Sequence, residues 1–501
     1  MNVLRTKSVE QSIRDTDEPD HTLKKNLGAL DLVIFGVGVI IGAGIFVLTG
    51  TAAATNAGPA VAISFAIAGL ACGLAALCYA EFASTVPVAG SAYTFSYATF
   101  GELIAWIIGW DLVLEFTIGS AALATGFSGY LQNLLAGTAF ELPPALASAE
   151  EGVVNLPAVL IALAVMGVLI VGIKLSSVIN QVVVAIKLTV VALVVVAGIG
   201  YIDASNYSPF VPPSEPSTGS AGSFMEQPLI TSLLGLDPAV YGVAGVVAGA
   251  ALVFFAFIGF DVVATTAEEA KNPQRDVPIG ILGSLAIVTV LYMAVSLVIT
   301  GMQNYQDIDP NDAAPLATAF DAVGVEWMGN LIAVGACIGL TVVVMILMLG
   351  QTRVAFAMAR DGLLPRKVAK VHPTFGTPYR ITAITGVAVA IIAGLVDLAT
   401  LAHLVNIGTL FAFILVSVGV VILRRTRPDL PRSFKVPAAP VVATLAVLLC
   451  LYLMLNLTGD TWVRFAVWMG LGFVVYFAYS YRNSMVGRRA GEETDVDVTS
   501  R

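Results

Sequence analysis

Long apolar runs are the feature that most limits what this 501-residue chain can fold into. A helix needs about 20 apolar residues to cross the hydrocarbon core of a bilayer, and about 12 runs reach or approach that length. Only 12% of the residues are charged, which is about half the share of a soluble domain. The alternating pattern of a membrane β-barrel is absent. The sequence therefore predicts an all-α polytopic membrane protein with about 12 transmembrane helices.

Numbered in chain order, the runs are separated by short loops, with one longer stretch after the fifth run. That stretch is rich in Pro, Ser and Gly, and we expect it to be irregular and extracellular. The runs lie near residues 29–54, 59–86, 104–134, 156–173, 178–201, 241–266, 277–300, 327–352, 381–396, 401–423, 438–457 and 462–481.

Positive charges predict the orientation of these helices. Lys and Arg precede the first run, surround the loop between the eighth and ninth runs, and follow the tenth and twelfth runs. If every run spans once, these positions share one side, and the opposite loops hold only Arg464. Because cytoplasmic loops carry the excess of Lys and Arg, we expect a multi-pass protein of the cell membrane with both termini in the cytoplasm.

Two runs are interrupted by glycine at a depth where a helix is most needed. The first contains "GVGVIIGAGIF", Gly36 to Phe46, and the sixth contains "FFAFIGFD", Phe254 to Asp261. Each glycine costs a helix about 1 kcal/mol relative to alanine. Discontinuous helices at matching positions of two halves are the best sequence indicator of a transporter binding site.

Unwound backbone at membrane depth needs a partner, because lipid cannot satisfy its polar groups. Amides freed at a half-helix N-terminus can bind a carboxylate, and freed carbonyls can bind an ammonium. Such a pair suits the α-groups of an amino acid. Small residues also let membrane helices pack closely. We favour packing for Gly36 and Gly38, and a binding site for Gly42 to Gly44 together with the sixth run.

Several motifs together resemble the amino acid–polyamine–organocation superfamily, and most of all its cationic amino acid transporter family and that family's prokaryotic homologues. The motifs are "GVGVIIGAGIF", "AEFASTVPVAGSAY", "FFAFIGFDVVATTAEEAKNPQRDVP" and "QTRVAFAMARDGLLP". The resemblance implies a five-plus-five inverted-repeat (LeuT-type) core with two peripheral helices. Helices 1 and 6 would be discontinuous, with substrate bound between them midway across the membrane.

Six segments follow from this resemblance. We expect a cytoplasmic N-terminal tail (1–26), a first inverted repeat of helices 1–5 (27–201) and an extracellular loop (202–238). A second repeat of helices 6–10 (239–423), helices 11 and 12 (424–482) and a cytoplasmic C-terminal tail (483–501) complete the chain.

The resemblance also implies which residues bind substrate. The first-run residues are Ile40, Ile41, Gly42, Ala43, Gly44 and Ile45, and the sixth-run residues are Phe255, Ala256, Phe257 and Ile258. Amides of residues 43–45 would bind the substrate carboxylate, and carbonyls of residues 255–258 would bind its ammonium. The ring of Phe255 would act as a gate. Many family members have Ser or Thr where this chain has Ala43, a difference that removes a hydroxyl donor from the implied site.

Lys187 lies deep in the fifth run, within "QVVVAIKLTVVALVVVAG". A lysine at the bilayer centre costs at least about 2.5–3.5 kcal/mol on insertion scales, so it is a functional candidate. Proton-coupled members of the superfamily place a lysine where sodium-coupled members form a cation site. We favour a role in proton coupling, with a permanent structural cation that joins helices as the alternative.

Glu115 lies in "WDLVLEFTIGS" of the third run. Its carboxylate could contribute to proton coupling or bind a cationic substrate side chain. It could equally be a hydrogen-bonded carboxylate of the core. These alternatives matter for specificity, because the implied substrate residues are apolar and an unpaired buried charge costs several kcal/mol. We lean toward neutral amino acids, with cationic ones as the alternative.

These observations favour a secondary active amino acid transporter that works by alternating access, with proton symport. Its partners would be an amino acid substrate, protons and the lipid bilayer, with no nucleic acid, cofactor or metal. An exchanger of amino acids or polyamines, or a non-transporting amino acid sensor, would share the fold. A membrane enzyme is disfavoured, because paired intramembrane carboxylates, an H-E-x-x-H helix and an activated serine are absent. The oligomeric state is unspecified.

Overall fold

The computed structural model describes Arg5 and residues 27–85, 91–149, 152–172, 177–216, 224–235, 239–265 and 270–488. Most of the two predicted tails, 1–26 and 483–501, therefore lies outside the described residues. Within the described residues, a helix occupies every one of the predicted apolar runs. The chain is thus a helical, multi-pass membrane protein.

The first half of the chain forms nine helices among the described residues up to residue 216. They are α1 Ala29–Ile40, α2 Ala43–Phe46, α3 Leu48–Ala52, α4 Val61–Thr85, α5 Ser91–Thr99, α6 Glu102–Leu135, α7 Pro144–Ala147, α8 Leu156–Val171 and α9 Ser177–Gly198. A π-helical turn (Ala53–Ala57) and a 3-10 turn (Gly58–Ala60) join α3 to α4. Two further 3-10 turns, Ile199–Tyr201 and Ala204–Tyr207, follow α9.

The second half of the chain contains longer helices. They are α10 Leu229–Leu234, α11 Gly242–Val253, α12 Phe260–Thr265, α13 Pro273–Met302, α14 Pro315–Ala322, α15 Glu326–Arg360, α16 Tyr379–Leu395, α17 Leu398–Thr426, α18 Ala439–Leu455, α19 Gly459–Val475 and α20 Tyr481–Asn483. The short connecting elements are 3-10 turns at Phe254–Phe257 and Tyr305–Asp307 and a π-helical turn at Tyr476–Ser480. Strand β1, Glu215–Pro216, pairs antiparallel with β2, Ala239–Val240.

Eight helices in the described part of the chain are long and apolar enough to cross a membrane. Four shorter apolar helices accompany them: α1, α8, α16 and α18. The shortness of α1 is a consequence of the break that follows it, since the first predicted run is divided among α1, α2 and α3. Length alone therefore supports eight spans, and the count of about 12 stays a prediction.

Helix packing follows a regular pattern. Helix α4 of the second run packs on α13 of the seventh, α6 of the third on α15 of the eighth, and α8 of the fourth on α16 of the ninth. Each of these helices contacts the one that comes five runs later. Helix α9 bridges α1, α13 and α15, and α17 bridges α4 and α6. The interrupted helices of the first and sixth runs lie within this frame.

Candidate functional site

The structure contains both predicted helix breaks, and the two broken segments are in contact. Helix α1 ends at Ile40, residues 41 and 42 are extended, and α2 begins at Ala43. In the sixth run, a 3-10 turn follows α11, and Gly259, at φ +115°, precedes α12. A Cβ atom added to Gly44 would lie 2.0 Å from the Cα of Ala256. The two interruptions therefore meet backbone to backbone.

All ten predicted substrate residues are buried around this contact. The most exposed is Ile258, with 9% of its surface accessible, and Ile41, Ala43, Ile45 and Phe257 have none. The structure thus brings together the two segments that the sequence assigned to one site. Their role in binding substrate stays a prediction.

The first turn of α2 has unused backbone donors. Its backbone hydrogen bonds begin with the amide of Phe46, which donates to the carbonyl of Gly42 at 3.3 Å, and that of Val47, which donates to Ala43 at 2.8 Å. The amides of residues 43–45 precede these two. Among the described residues, none of the three donates to a backbone carbonyl outside the helix. These are the first N–H groups of a helix, which a carboxylate can satisfy.

Lys187 binds the break of the first run directly. Its Nζ donates to the carbonyl oxygens of Gly38 at 2.7 Å and Ile41 at 3.0 Å, and its side chain is 1% exposed. In an unbroken helix these carbonyls would accept from the amides of Gly42 and Ile45. The ammonium therefore takes the place of the hydrogen bonds that the break removes. Among the described residues, no cluster of His, Cys, Asp or Glu could hold a metal ion.

Glu115 does not join the other predicted site residues. Helix α6 meets α2 at Gly126, where an added Cβ would lie 3.4 Å from that of Ala43. Glu115 lies about three turns away along α6, roughly 16 Å toward its N-terminal end. It is buried and within hydrogen-bonding reach of Thr409 on α17. Its Oε1 has no hydrogen-bond partner among the described residues. Glu115 therefore faces a helix of the core.

Tyr292 on α13 is a site residue that the sequence did not predict. Its hydroxyl lies 2.7 Å from the carbonyl oxygen of Ile40 and 3.0 Å from that of Ala256, and its ring packs against Phe65 and Phe257. A hydroxyl has one proton, so it donates to one of these carbonyls at a time. Tyr292 thus joins the two breaks.

Two more polar side chains satisfy carbonyls near the breaks. The Nδ2 of Asn406 on α17 donates to Ala251 at 2.8 Å and Leu252 at 3.0 Å, at the end of α11. The hydroxyl of Tyr130 on α6 donates to Phe46 at 2.5 Å, at the end of α2. A tyrosine or asparagine inside an apolar run is the only sequence signal for such residues, because polar groups in membrane helices are expensive.

A cavity of about 800 Å³ is lined mainly by residues of the predicted outer loops and adjoining helix ends. Leu48, Thr125 and Leu252 belong to its lining, which among the described residues includes no Lys or Arg. Five acidic residues line it: Glu141, Glu226, Asp309, Asp312 and Asp397. Burial raises the pKa of Asp312, which lies in the loop before α14. None of the ten predicted substrate residues belongs to this lining.

Comparison with known proteins agrees with this architecture. Residues 27–478 match the model of the amino acid permease family. A branched-chain amino acid permease, BcaP, of Bacillus subtilis is 46% identical over 97% of this chain and 99% of its own length. A methylthioribose transporter of the same organism is 46% identical over 93% and 96% of the two chains. A vacuolar cationic amino acid transporter 4 of Arabidopsis thaliana is 40% identical over 85% of this chain and 68% of its own length.

Proposed function

The chain belongs to the amino acid permease family, and from that premise we propose that it carries neutral amino acids into the cell by proton-coupled symport. The observation that carries the proposal is the ammonium of Lys187 on the two carbonyls freed by the first helix break. The protein is a transporter of the cell membrane with both termini in the cytoplasm, and it works by alternating access.

Lys187 couples the proton to the position of α1. While protonated, it binds Gly38 and Ile41 at once and holds α1 against α9. Without its extra proton, the neutral amine loses the charge that makes these hydrogen bonds strong. The carbonyls are then poorly satisfied in a dry interior, which is costly. Loss of the proton therefore weakens the hold on α1 and favours its movement.

The helix pairing supports the inverted-repeat mechanism. Contacts between the second and seventh, third and eighth, and fourth and ninth runs are those that two interleaved repeats of five helices would make. In transporters of this type, the substrate site lies at the repeat interface near the membrane midplane. We place the substrate between α2 and the turn at 254–257.

Substrate α-groups are bound by backbone. The amides at the start of α2 bind the carboxylate, and the sixth-run carbonyls bind the ammonium. Two of the four predicted carbonyls already face a donor. The amide of Ile258 donates to Phe255 at 3.2 Å, and the Tyr292 hydroxyl lies 3.0 Å from the carbonyl of Ala256, which shares its proton with that of Ile40. Phe257 and Ile258 are therefore the leading carbonyl ligands for the ammonium. Methylthioribose has neither α-group, so this chemistry favours an amino acid.

A neutral side chain fits the surroundings best. The atoms nearest to a Cβ added at Gly42 belong to Leu123, at 3.0 Å, the backbone of Ile40, at 3.8 Å, and Val343, at 3.9 Å. Glu115 lies about two turns from Leu123 along α6 and faces Thr409. A lysine or arginine substrate would bury its charge without a partner. The name of one relative, a branched-chain amino acid permease, agrees with this preference.

The energy source can be tested in proteoliposomes. With labelled alanine outside, we expect an inward gradient of one pH unit to drive about tenfold accumulation if one proton accompanies each substrate. A sodium gradient should drive none. Accumulation with sodium at equal pH would contradict proton coupling, uptake only when the vesicles hold internal amino acid would indicate an exchanger, and no uptake would indicate a sensor.

Substrate class can be tested by competition for alanine uptake. Excess valine is expected to inhibit strongly, while arginine and methylthioribose should have little effect, because the site offers backbone groups and apolar walls. Glu115→Gln should leave this ranking unchanged. Strong inhibition by arginine that disappears in Glu115→Gln would show that Glu115 binds a cationic side chain and that the neutral assignment is wrong.

A further inference from the structure

We propose that Gly339 on α15 is a positioning residue for proton coupling. The space left by its missing side chain, which we call the seat, holds the stem of Lys187. This inference rests on the proposed coupling role of Lys187. A Cβ added to Gly339 would lie 2.8 Å from the Cε, 2.9 Å from the Cγ and 3.3 Å from the Cδ of Lys187. All three nearest atoms belong to the lysine, so Gly339 is the wall against which its stem lies.

The seat restricts the direction in which the ammonium of Lys187 can point. Lys187 crosses from α9 to the break after α1 and contacts two carbonyls there at 2.7 and 3.0 Å. A flexible four-carbon stem has many rotamers, and a well-defined contact with both carbonyls requires most of them to be excluded. The backbone surface of α15 at Gly339 excludes them on one side.

Gly335 lies one turn before Gly339 on α15. It also faces α9, but it does not contact Lys187. A Cβ there would lie 2.3 Å from the Cγ2 of Val190, and Ile186 is the next residue met. Both glycines therefore allow close packing of α9 on α15, which small residues commonly do in membranes. Gly339 differs because the side chain packed against it is that of Lys187, the proposed proton carrier.

Few titratable groups surround Lys187 on the helices packed against it. One of them is Tyr292 on α13, whose hydroxyl binds the carbonyl of Ile40. Cys337 on α15 contacts the backbone of Phe127 on α6. The charged residues of these helices lie near their ends, far from the middle of α9: Asp31 on α1, Arg275 and Asp276 on α13, and Glu326, Arg353 and Arg360 on α15. The carbonyls and the seat therefore dominate the surroundings of the ammonium.

The substitution Gly339→Ala adds one methyl group to the seat. Side-chain contacts below 3 Å are not tolerated, so the stem of Lys187 must shift and its ammonium must give up at least part of its contact with the carbonyls of Gly38 and Ile41. The charged form then loses hydrogen bonding, and a lower pH is needed to keep the lysine protonated. The pH of half-maximal uptake should move about one unit toward acid.

Gly335→Ala is the matched control. Its added Cβ meets Val190 at a shorter distance than the Cβ at Gly339 meets Lys187, so it disturbs the same helix contact at least as much. Labelled alanine uptake is measured against external pH for the wild-type protein and both variants, with thermal unfolding in detergent as a check of folding. We expect an acid shift for Gly339→Ala and an unshifted profile for Gly335→Ala.

Four results distinguish the possible explanations. Equal profiles for the two variants would overturn the inference while leaving the role of Lys187 intact. If Gly339→Ala does not fold, restoration of folding in the double variant Lys187→Ala/Gly339→Ala would support the seat, because removal of the stem removes the clash. Failure of that double variant to fold would overturn the inference. Proton-driven accumulation that persists in Lys187→Ala would instead contradict the proposed function itself.

Discussion

Replacement of Lys187 by alanine is expected to abolish proton-driven accumulation of amino acids while leaving substrate exchange across the membrane. The variant loses the ammonium that binds the break of the first run, and the carbonyls of Gly38 and Ile41 lose this donor. Binding of substrate by the backbone of the two breaks does not need that charge. Proteoliposomes that concentrate alanine about tenfold per pH unit should, with Lys187→Ala, only equilibrate it.

Two measurements make this result specific. Counterflow of labelled alanine against unlabelled alanine should persist in Lys187→Ala, which shows that the protein is folded and binds substrate. Thr189→Ala on the same helix is the matched control, since Thr189 is exposed and its hydroxyl binds only the backbone of Ala185. Undiminished accumulation in Lys187→Ala would mean that the lysine is a structural cation and that another group carries the proton.

The sequence was sufficient to locate the two helix breaks and the buried lysine, because their physical signals are local. A charge within an apolar run identifies Lys187, and closely spaced glycines identify the break in "GVGVIIGAGIF". The lysine and the break are related because carbonyls that a break frees at membrane depth need a hydrogen-bond donor. The structure provides that connection through Gly38 and Ile41. Both glycines that we assigned to packing do pack closely: a Cβ on Gly36 would meet Ser284, and one on Gly38 would meet Val184.

The direction in which each buried side chain points could not be predicted. Helices of the core are apolar on all faces, so periodicity does not reveal which face meets which neighbour. Glu115 shows the consequence: the sequence left a substrate role and a core role open, and its position against Thr409 depends on how α6 and α17 pack. Tyr292 was missed for the same reason. Its role depends on its lying opposite Ile40 and Ala256, which are distant in sequence.

Gly44 is a predicted site residue at which the structure requires glycine for a different physical reason. The sequence suggested that Gly42 and Gly44 let the chain leave helical geometry. In the structure the break lies at residues 41 and 42, and Gly44 lies inside α2. What requires glycine at position 44 is the close approach of Ala256 from the sixth run. The first and sixth breaks can therefore lie side by side only because position 44 lacks a side chain.

This contact leads to the second large expected effect, that of Gly44→Val. A Cβ at position 44 would lie 2.0 Å from the Cα, 2.3 Å from the Cβ and 2.7 Å from the backbone nitrogen of Ala256. Backbone cannot rotate away as a side chain can, so α2 and the turn at 254–257 must separate. Overpacking of this kind costs about 1–3 kcal/mol or more. The variant should lose both alanine uptake and thermal stability.

Gly73→Val is the control for the added valine. Gly73 lies within α4, and nothing lies within 4 Å of a Cβ added there, so the substitution should leave uptake near the wild-type level. Binding of alanine, measured as its stabilisation of the purified protein against heat, should be lost in Gly44→Val and kept in Gly73→Val. Normal uptake by a folded Gly44→Val protein would show that the contact between the two breaks is dispensable. The substrate would then have to bind elsewhere, since a site built from both segments cannot survive their separation.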